Sequence, residues 1–307
     1  MKQIAYHLRG SLKLLRMIAV LSSSMVTILS SLLPLYLYSN LDTITLTFMF
    51  LFLTSAAILF HGVLTHVFND YTDHLSGTDT KSPAILSGGS RVIQDGIFPP
   101  ELLWKIGKVL SCIFLLLAVL FFLTSQIKLS VLILVGIWAA VSYSLPPFRF
   151  SYRPFLGEWL SLFPAFLFLG IAGPWLLLDQ IPIWAYQNAV VNALVCMAWV
   201  MVHHIPDMEA DREAVPPKRT SVVWFAEQFG QSTAKLPAII YFLLTGCTAI
   251  WIAYTRPLAA MMLAVLVLLV AWLLIRMNTR DAYDVTKVEK YLLLIAMLIA
   301  LGLGVIP

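Results

Sequence analysis

The sequence predicts an all-α protein, a polytopic membrane helix bundle of about nine transmembrane helices. Three observations lead there. The 307 residues are 60 % hydrophobic and only 12 % charged, with a mean hydropathy of +0.87, whereas soluble domains carry about 25 % charged residues. The apolar stretches are long and uninterrupted, near the roughly 20 residues that a spanning helix needs. None of them alternates with the period of two that marks a membrane barrel strand.

Nine stretches qualify as spans: 17–38, 45–68, 102–124, 129–146, 155–178, 184–204, 235–254, 258–276 and 290–306. The first follows the basic segment MKQIAYHLRGSLKLLR (1–16), which looks like the start of a signal peptide. No small-residue cleavage site follows and the run is long enough to cross, so it counts as a span. The short connections are NLDT, SQIKLS, DQIPI and TRP. The long ones are 69–101 and 205–234.

Orientation follows from the cations, which favour the cytoplasmic side. With the N-terminus in the cytoplasm, all but Lys128 and Arg256 of the 20 Lys and Arg residues fall on the inner side. Nine spans then put the C-terminus outside, and the expected location is a bacterial inner membrane. The net charge of +4 thus reflects topology, and no nucleic-acid partner is expected. Cys112, Cys196 and Cys247 lie far apart within spans and show neither a disulfide framework nor CxxC metal spacing. No domain boundary or low-complexity tail interrupts the chain, so residues 1–307 read as one membrane domain.

The acids are scarce, yet each long inner loop opens on a cluster of them. The first reads NDYTDHLSGTD (69–79) and the second HHIPDMEAD (203–211). Asp70 and Asp73 are three apart, so they share a face if the second span runs on through residue 73. Asn69 adds an amide oxygen, and Asp79 can fold back after the Gly77 break. Asp207 and Asp211 are four apart with Glu209 facing away, and Pro206 can open a helical turn at its first position.

Like charges this close repel, and near a bilayer they are costly. A divalent cation resolves both problems. Mg²⁺ suits hard oxygen ligands and takes one or two carboxylates together with substrate phosphate oxygens. Asn69, Asp70, Asp73, Asp79, Asp207 and Asp211 are therefore candidate metal ligands around a diphosphate. Lys81, Arg91, Arg149, Arg153, Lys218 and Arg219 are candidate phosphate partners, although each also serves as an ordinary inner-side anchor. Neither cluster fits the EF-hand pattern.

With these residues in view, the chain resembles the UbiA superfamily of intramembrane prenyltransferases over roughly residues 10–300. NDYTD looks like its N-D-x-x-D motif and DMEAD like its D-x-x-x-D motif. The third Asp, six after Asp73, resembles the 1,4-dihydroxy-2-naphthoate prenyltransferases of menaquinone biosynthesis. So do GGSRVIQDG (88–96) and YSLPPFRFSYRPFLGE (143–158). DMEADREAVPPKRTSVVWF (207–225) resembles the family's D-x-E-x-D and following Lys-Arg segment. The chain departs from that branch on the acceptor side. His203, His204 and Pro206 stand where it carries Asn-Asn and Arg, and Pro216-Pro217 replaces a Gly.

The resemblance implies transfer of a prenyl group from an isoprenyl diphosphate to an aromatic acceptor, with Mg²⁺. It places Asp70, Asp73, Asp207 and Asp211 at the centre of that chemistry. Tyr143 can stabilise a cation with its ring or anchor the span. His66 sits one turn before the first motif, and His203 and His204 can orient the acceptor or take its proton. Glu158 is an acid just inside the fifth span. The IPDMEADREA stretch also resembles carotenoid-elongating members, and some relatives cyclise terpenes. A divalent-cation or anionic-lipid transporter is the reading outside this class. Transporter sites lie near the midplane, and no mid-span charges match.

Overall fold

The computed structural model describes residues 10, 11, 13–82 and 87–306, and within the first helix the side chain of residue 17 is left out. Residues 83–86 of the first long loop lie outside the described residues, as does most of the basic segment 1–16. Among the described residues nine helices are long and apolar enough to cross a membrane. They are α1 (Ile18–Tyr38), α2 (Thr43–Ser76), α4 (Pro100–Leu123), α5 (Ile127–Ser144) and α6 (Gly157–Leu177), then α7 (Ile183–His203), α10 (Gln231–Ala253), α11 (Pro257–Arg276) and α12 (Ala282–Val305). Three short helices lie in the long loops: α3 (Thr78–Lys81), α8 (Met208–Glu213) and α9 (Ser221–Phe229).

Two spans reach further than hydropathy alone indicates. α2 is 34 residues long and runs through the first acidic motif. Gly77, with φ +85°, ends it in the left-handed conformation that glycine adopts most cheaply. α12 begins at Ala282, capped by the Asp281 side chain on the Tyr283 amide. Asp284, Lys287, Glu289 and Lys290 in its first turns masked that start from a reading based on apolar runs.

The bundle has a clear centre. α7 is buried over 83 % of its span, whereas α4 is buried over 17 %. α7 packs on α6, α10 and α12, and its core positions carry many small residues, including Ala185, Ala189 and Ala193. Gly170 of α6 lies so close to α7 that an added Cβ would sit 2.7 Å from that of Ala189. Small residues of this kind let helices approach in lipid, where hydrophobicity supplies no net attraction between them.

The two cations at the end opposite the acidic motifs are both tied to backbone. Lys128 donates to the Trp175 carbonyl at 2.6 Å. Arg256 reaches Asn188 at 2.8 Å and the Ile306 carbonyl at 2.8 Å. Both satisfy carbonyls near helix ends, which have no partner in their own helix.

Three helices contain widened π turns, at Leu21–Met25 in α1, Ile58–Thr65 in α2 and Gly157–Leu162 in α6. Such turns are frequent at functional sites because they re-aim side chains. The first two are joined by Ser24 Oγ and His61 Nδ1 at 2.7 Å. That contact helps hold His61 at the wall of the central cavity.

Candidate active site

At one end of the bundle the acidic motifs close on each other. α2 places Asp70 and Asp73 on its inward face, and both are buried, at 2 % and 3 % exposure. Past the Gly77 turn, α3 brings Asp79 back to the same place, also buried. Asp207 caps α8 and its carbonyl accepts from the Asp211 amide at 2.8 Å. Both side chains are buried while Glu209 is exposed. Pro206 differs from expectation: it lies in the turn before the helix, because α8 starts at Met208 with Asp207 as its N-cap residue.

Lys218 joins the two motifs. Its ammonium donates to Asp73 Oδ2 at 2.7 Å and lies 3.9 Å from Asp211 Oδ1. Its amide donates to the Asp211 carbonyl at 2.8 Å, and the Val215 amide donates to the Ser76 carbonyl at 2.9 Å. Arg16 serves the other side, donating to Asp70 Oδ1 at 2.8 Å. Asn69 donates to Asp73 Oδ2 at 3.1 Å, and Tyr152 donates to Asp73 Oδ1 at 3.0 Å. Ser90 donates to Asp70, and Ser87 to Asp207 at 3.2 Å. Gly89 sits against Asp79 with φ +70°, and a Cβ there would lie 2.8 Å from Asp79 Oδ2.

The electrostatics follow from burial. Asp79 is held well above the usual carboxylate range, first by burial and then by Asp73 and Asp70. Asp211 is also well above it, by burial, with Lys218 opposing and Asp207 adding. Asp207 is raised by burial as well. Burial works against the charge on Lys218, but Asp73 and Asp211 outweigh it and hold the ammonium well above its ordinary value.

Above this acidic floor opens a cavity of about 380 Å³. Asn69, Asp73, Asp79, Asp207 and Lys218 form its polar end. Ile18, Ala19, Leu162, Trp199 and Val200 supply apolar wall, and His61, His66, Tyr143, His203 and His204 line it too. One compartment thus joins an acidic floor, with Lys218 set into it, to an apolar wall. The model of the UbiA prenyltransferase family matches residues 18–302, nearly the whole chain.

The chain belongs to the UbiA prenyltransferase family. No curated protein and no solved structure matches it. Membership makes this UbiA chain an integral, multi-pass membrane protein of the prenyltransferase class, with an isoprenyl diphosphate as donor.

The expected phosphate partners separate in this UbiA fold. Lys218 is inside. Lys81 is exposed and paired with Glu213 at 2.8 Å, and Arg219 is exposed and paired with Glu227. Arg153 is exposed, and Arg149 lies over the Tyr152 ring at 5.4 Å. Arg91 is half-buried with φ +60° and does not line the cavity. His66 lines the cavity and contacts the Gly62 carbonyl at 3.1 Å through Nδ1. Tyr143 and His204 line it together, hydroxyl to Nε2 at 3.2 Å. Glu158 is buried beneath, accepting from Ser221.

Sequence reading missed Arg16, Tyr152, His61 and Glu289. Arg16 looked like one inner anchor among many. His61 and Glu289 carry no motif; Tyr152 lies within the 143–158 stretch already singled out, and that placement is the one signal that could have found it.

The donor set fits Mg²⁺. Five buried carboxylates face two cations, Arg16 and Lys218. Asp79 Oδ2 and both Asp211 oxygens are buried without a hydrogen-bond partner, a costly state unless something neutralises them. Among the described residues no three His, Cys, Asp or Glu side chains converge on one metal position.

Proposed function

We propose that this protein transfers an isoprenyl group from an isoprenyl diphosphate to a small aromatic acceptor, 1,4-dihydroxy-2-naphthoate of menaquinone biosynthesis. The observation that carries the reading is the single cavity that combines both aspartate motifs, tied by Lys218, with an apolar wall. A prenyl diphosphate has the same division, a greasy tail and an anionic head.

The roles follow from position. Lys218 and Arg16 donate to the diphosphate as charge grows on the departing oxygen. Asp70, Asp73, Asp207 and Asp211, with Asn69 and Asp79 beside them, would hold Mg²⁺, which would supply the remaining neutralisation of that charge. Trp199, Leu162 and Val200 exclude water from the allylic carbon, and the Tyr143 ring stabilises positive charge there. The acceptor's electron-rich carbon then attacks that carbon. The motif end faces the cytoplasm of a bacterial inner membrane, with the C-terminus outside, in line with the cation distribution.

The test uses purified protein in detergent with radiolabelled prenyl diphosphates and Mg²⁺. The acceptors are 1,4-dihydroxy-2-naphthoate and 4-hydroxybenzoate, with a no-acceptor control. A prenylated naphthoate that disappears with EDTA and in Asp70→Ala and Asp207→Ala supports the reading. A cyclic or eliminated hydrocarbon formed without acceptor moves the assignment to a terpene cyclase. Absence of turnover and of diphosphate binding sinks it.

A further inference from the structure

Glu289 is out of place for a helix surface. It lies near the start of the last span and is fully buried. A buried carboxylate is costly unless paired. Its partner is His203, the last residue of α7, with Nδ1 2.6 Å from Glu289 Oε1. The two positions are 86 apart in sequence, and the contact joins the last span to the central one.

His203 lines the substrate cavity. With Nδ1 committed to Glu289, the ring presents Nε2 as its second nitrogen, and this atom makes no hydrogen bond among the described residues. Trp199, one turn earlier on α7, lies tilted against the imidazole with ring centres 5.2 Å apart. It lines the cavity as well. A carboxylate behind Nδ1 holds a histidine in the tautomer whose Nε2 accepts a proton, and an aromatic face beside the ring steadies the imidazolium that results. The neighbouring His204 is differently engaged, with Nε2 on the Tyr143 hydroxyl.

We propose that His203, positioned by Glu289, is the base that takes the acceptor's hydroxyl proton during prenyl transfer. The inference rests on the aromatic-acceptor reading above. The O–H bond breaks and its proton goes to His203 Nε2. The O–H electron pair becomes a C=O, and a ring π pair forms the new bond to the allylic carbon. The allylic C–O bond breaks, and its pair leaves with diphosphate. The Glu289 carboxylate behind Nδ1 balances the charge on the imidazolium. The site therefore takes a hydroxylated, conjugated ring as acceptor.

The experiment compares wild type with His203→Ala, Glu289→Gln and Glu289→Asp, using radiolabelled prenyl diphosphate, Mg²⁺ and 1,4-dihydroxy-2-naphthoate. General base contributions of about 10²–10⁴-fold are typical. His203→Ala is expected to lower kcat by at least about a hundredfold, with KM for the prenyl diphosphate nearly unchanged. Added imidazole should restore part of that activity. Glu289→Gln should lower kcat by about tenfold or more, and Glu289→Asp should recover part of it. A loss confined to KM, or full activity in both His203→Ala and Glu289→Gln, overturns the proposal. So does a complete lack of imidazole rescue in a His203→Ala protein that still binds prenyl diphosphate. If Glu289→Gln fails to fold, the imidazole rescue decides. A wild-type protein that prenylates neither 1,4-dihydroxy-2-naphthoate nor 4-hydroxybenzoate removes the aromatic reading and this proposal together, whereas active wild type with insensitive variants removes the proposal alone.

Discussion

Lys218 Nζ donates to Asp73 Oδ2 at 2.7 Å across 145 residues of sequence, so a single side chain links the two halves of the acidic floor. Both partners are almost fully buried. Removing one member of a buried pair leaves an uncompensated charge, which costs about 3–5 kcal/mol. A charged hydrogen bond is worth about 1.5–3 kcal/mol, roughly a ten- to hundredfold change in binding. Lys218→Met is expected to weaken prenyl diphosphate binding by about that factor and to lower the melting temperature of the metal-free protein. Calorimetric titration and thermal unfolding in detergent measure the two effects. Unchanged affinity would refute the role of Lys218 at the diphosphate.

The exposed pairs should behave differently. Lys81–Glu213 and Arg219–Glu227 lie outside the cavity, and surface pairs contribute about 0–1 kcal/mol. Lys81→Ala and Arg219→Ala are expected to keep kcat/KM within about fivefold of wild type, the same figure expressed as a rate ratio. A hundredfold loss in either would mean that its side chain swings into the site when substrate binds.

Asp79 and Asp211 set a pH dependence whose sign is defined. Their folded values are raised by burial, so their favourable contribution to metal-free stability is complete below the unfolded carboxylate value. It is lost as pH rises through the raised folded values. Mg²⁺ needs the ionised carboxylates, so its affinity should climb over the same interval. Metal-free protein is expected to melt at lower temperature as pH rises from about 4 towards neutrality, and Mg²⁺ should restore the loss most strongly at the upper end. A melting temperature that ignores both pH and Mg²⁺ over that interval would contradict the burial argument.

Gly89 gives a steric test of the third aspartate. Its φ of +70° is unfavourable for a side chain, and its Cβ would meet the Asp79 carboxylate. Gly89→Ala is expected to cost about 1–3 kcal/mol of stability through backbone strain and to weaken Mg²⁺ binding by displacing Asp79. Asp79→Asn in the same background should then add little further loss of metal affinity, because neighbouring effects of this kind are not additive. Fully additive losses would show that Gly89 acts elsewhere.

Several features were legible along the chain because they are local. Hydropathy over about 20 residues marks a span whatever surrounds it. The spacings Asp70–Asp73 and Asp207–Asp211 define a helix face through backbone geometry alone. Charged first turns hid the true start of α12, and the polar motif hid the true end of α2, because a hydropathy window stops where apolar residues stop while a helix stops at its cap.

The all-helical bundle, its nine spans and the carboxylates at their ends follow from the amino-acid order, since each depends only on near neighbours. Tertiary structure alone decided which of many equivalent inner cations reach those carboxylates. Lys218 and Arg16 turn inward, whereas Lys81 and Arg219 find surface acids. It also brought Glu289 to His203 and Tyr152 to Asp73. Positive charge near a span end satisfies topology in any orientation, so its partner is chosen only by how distant helices pack.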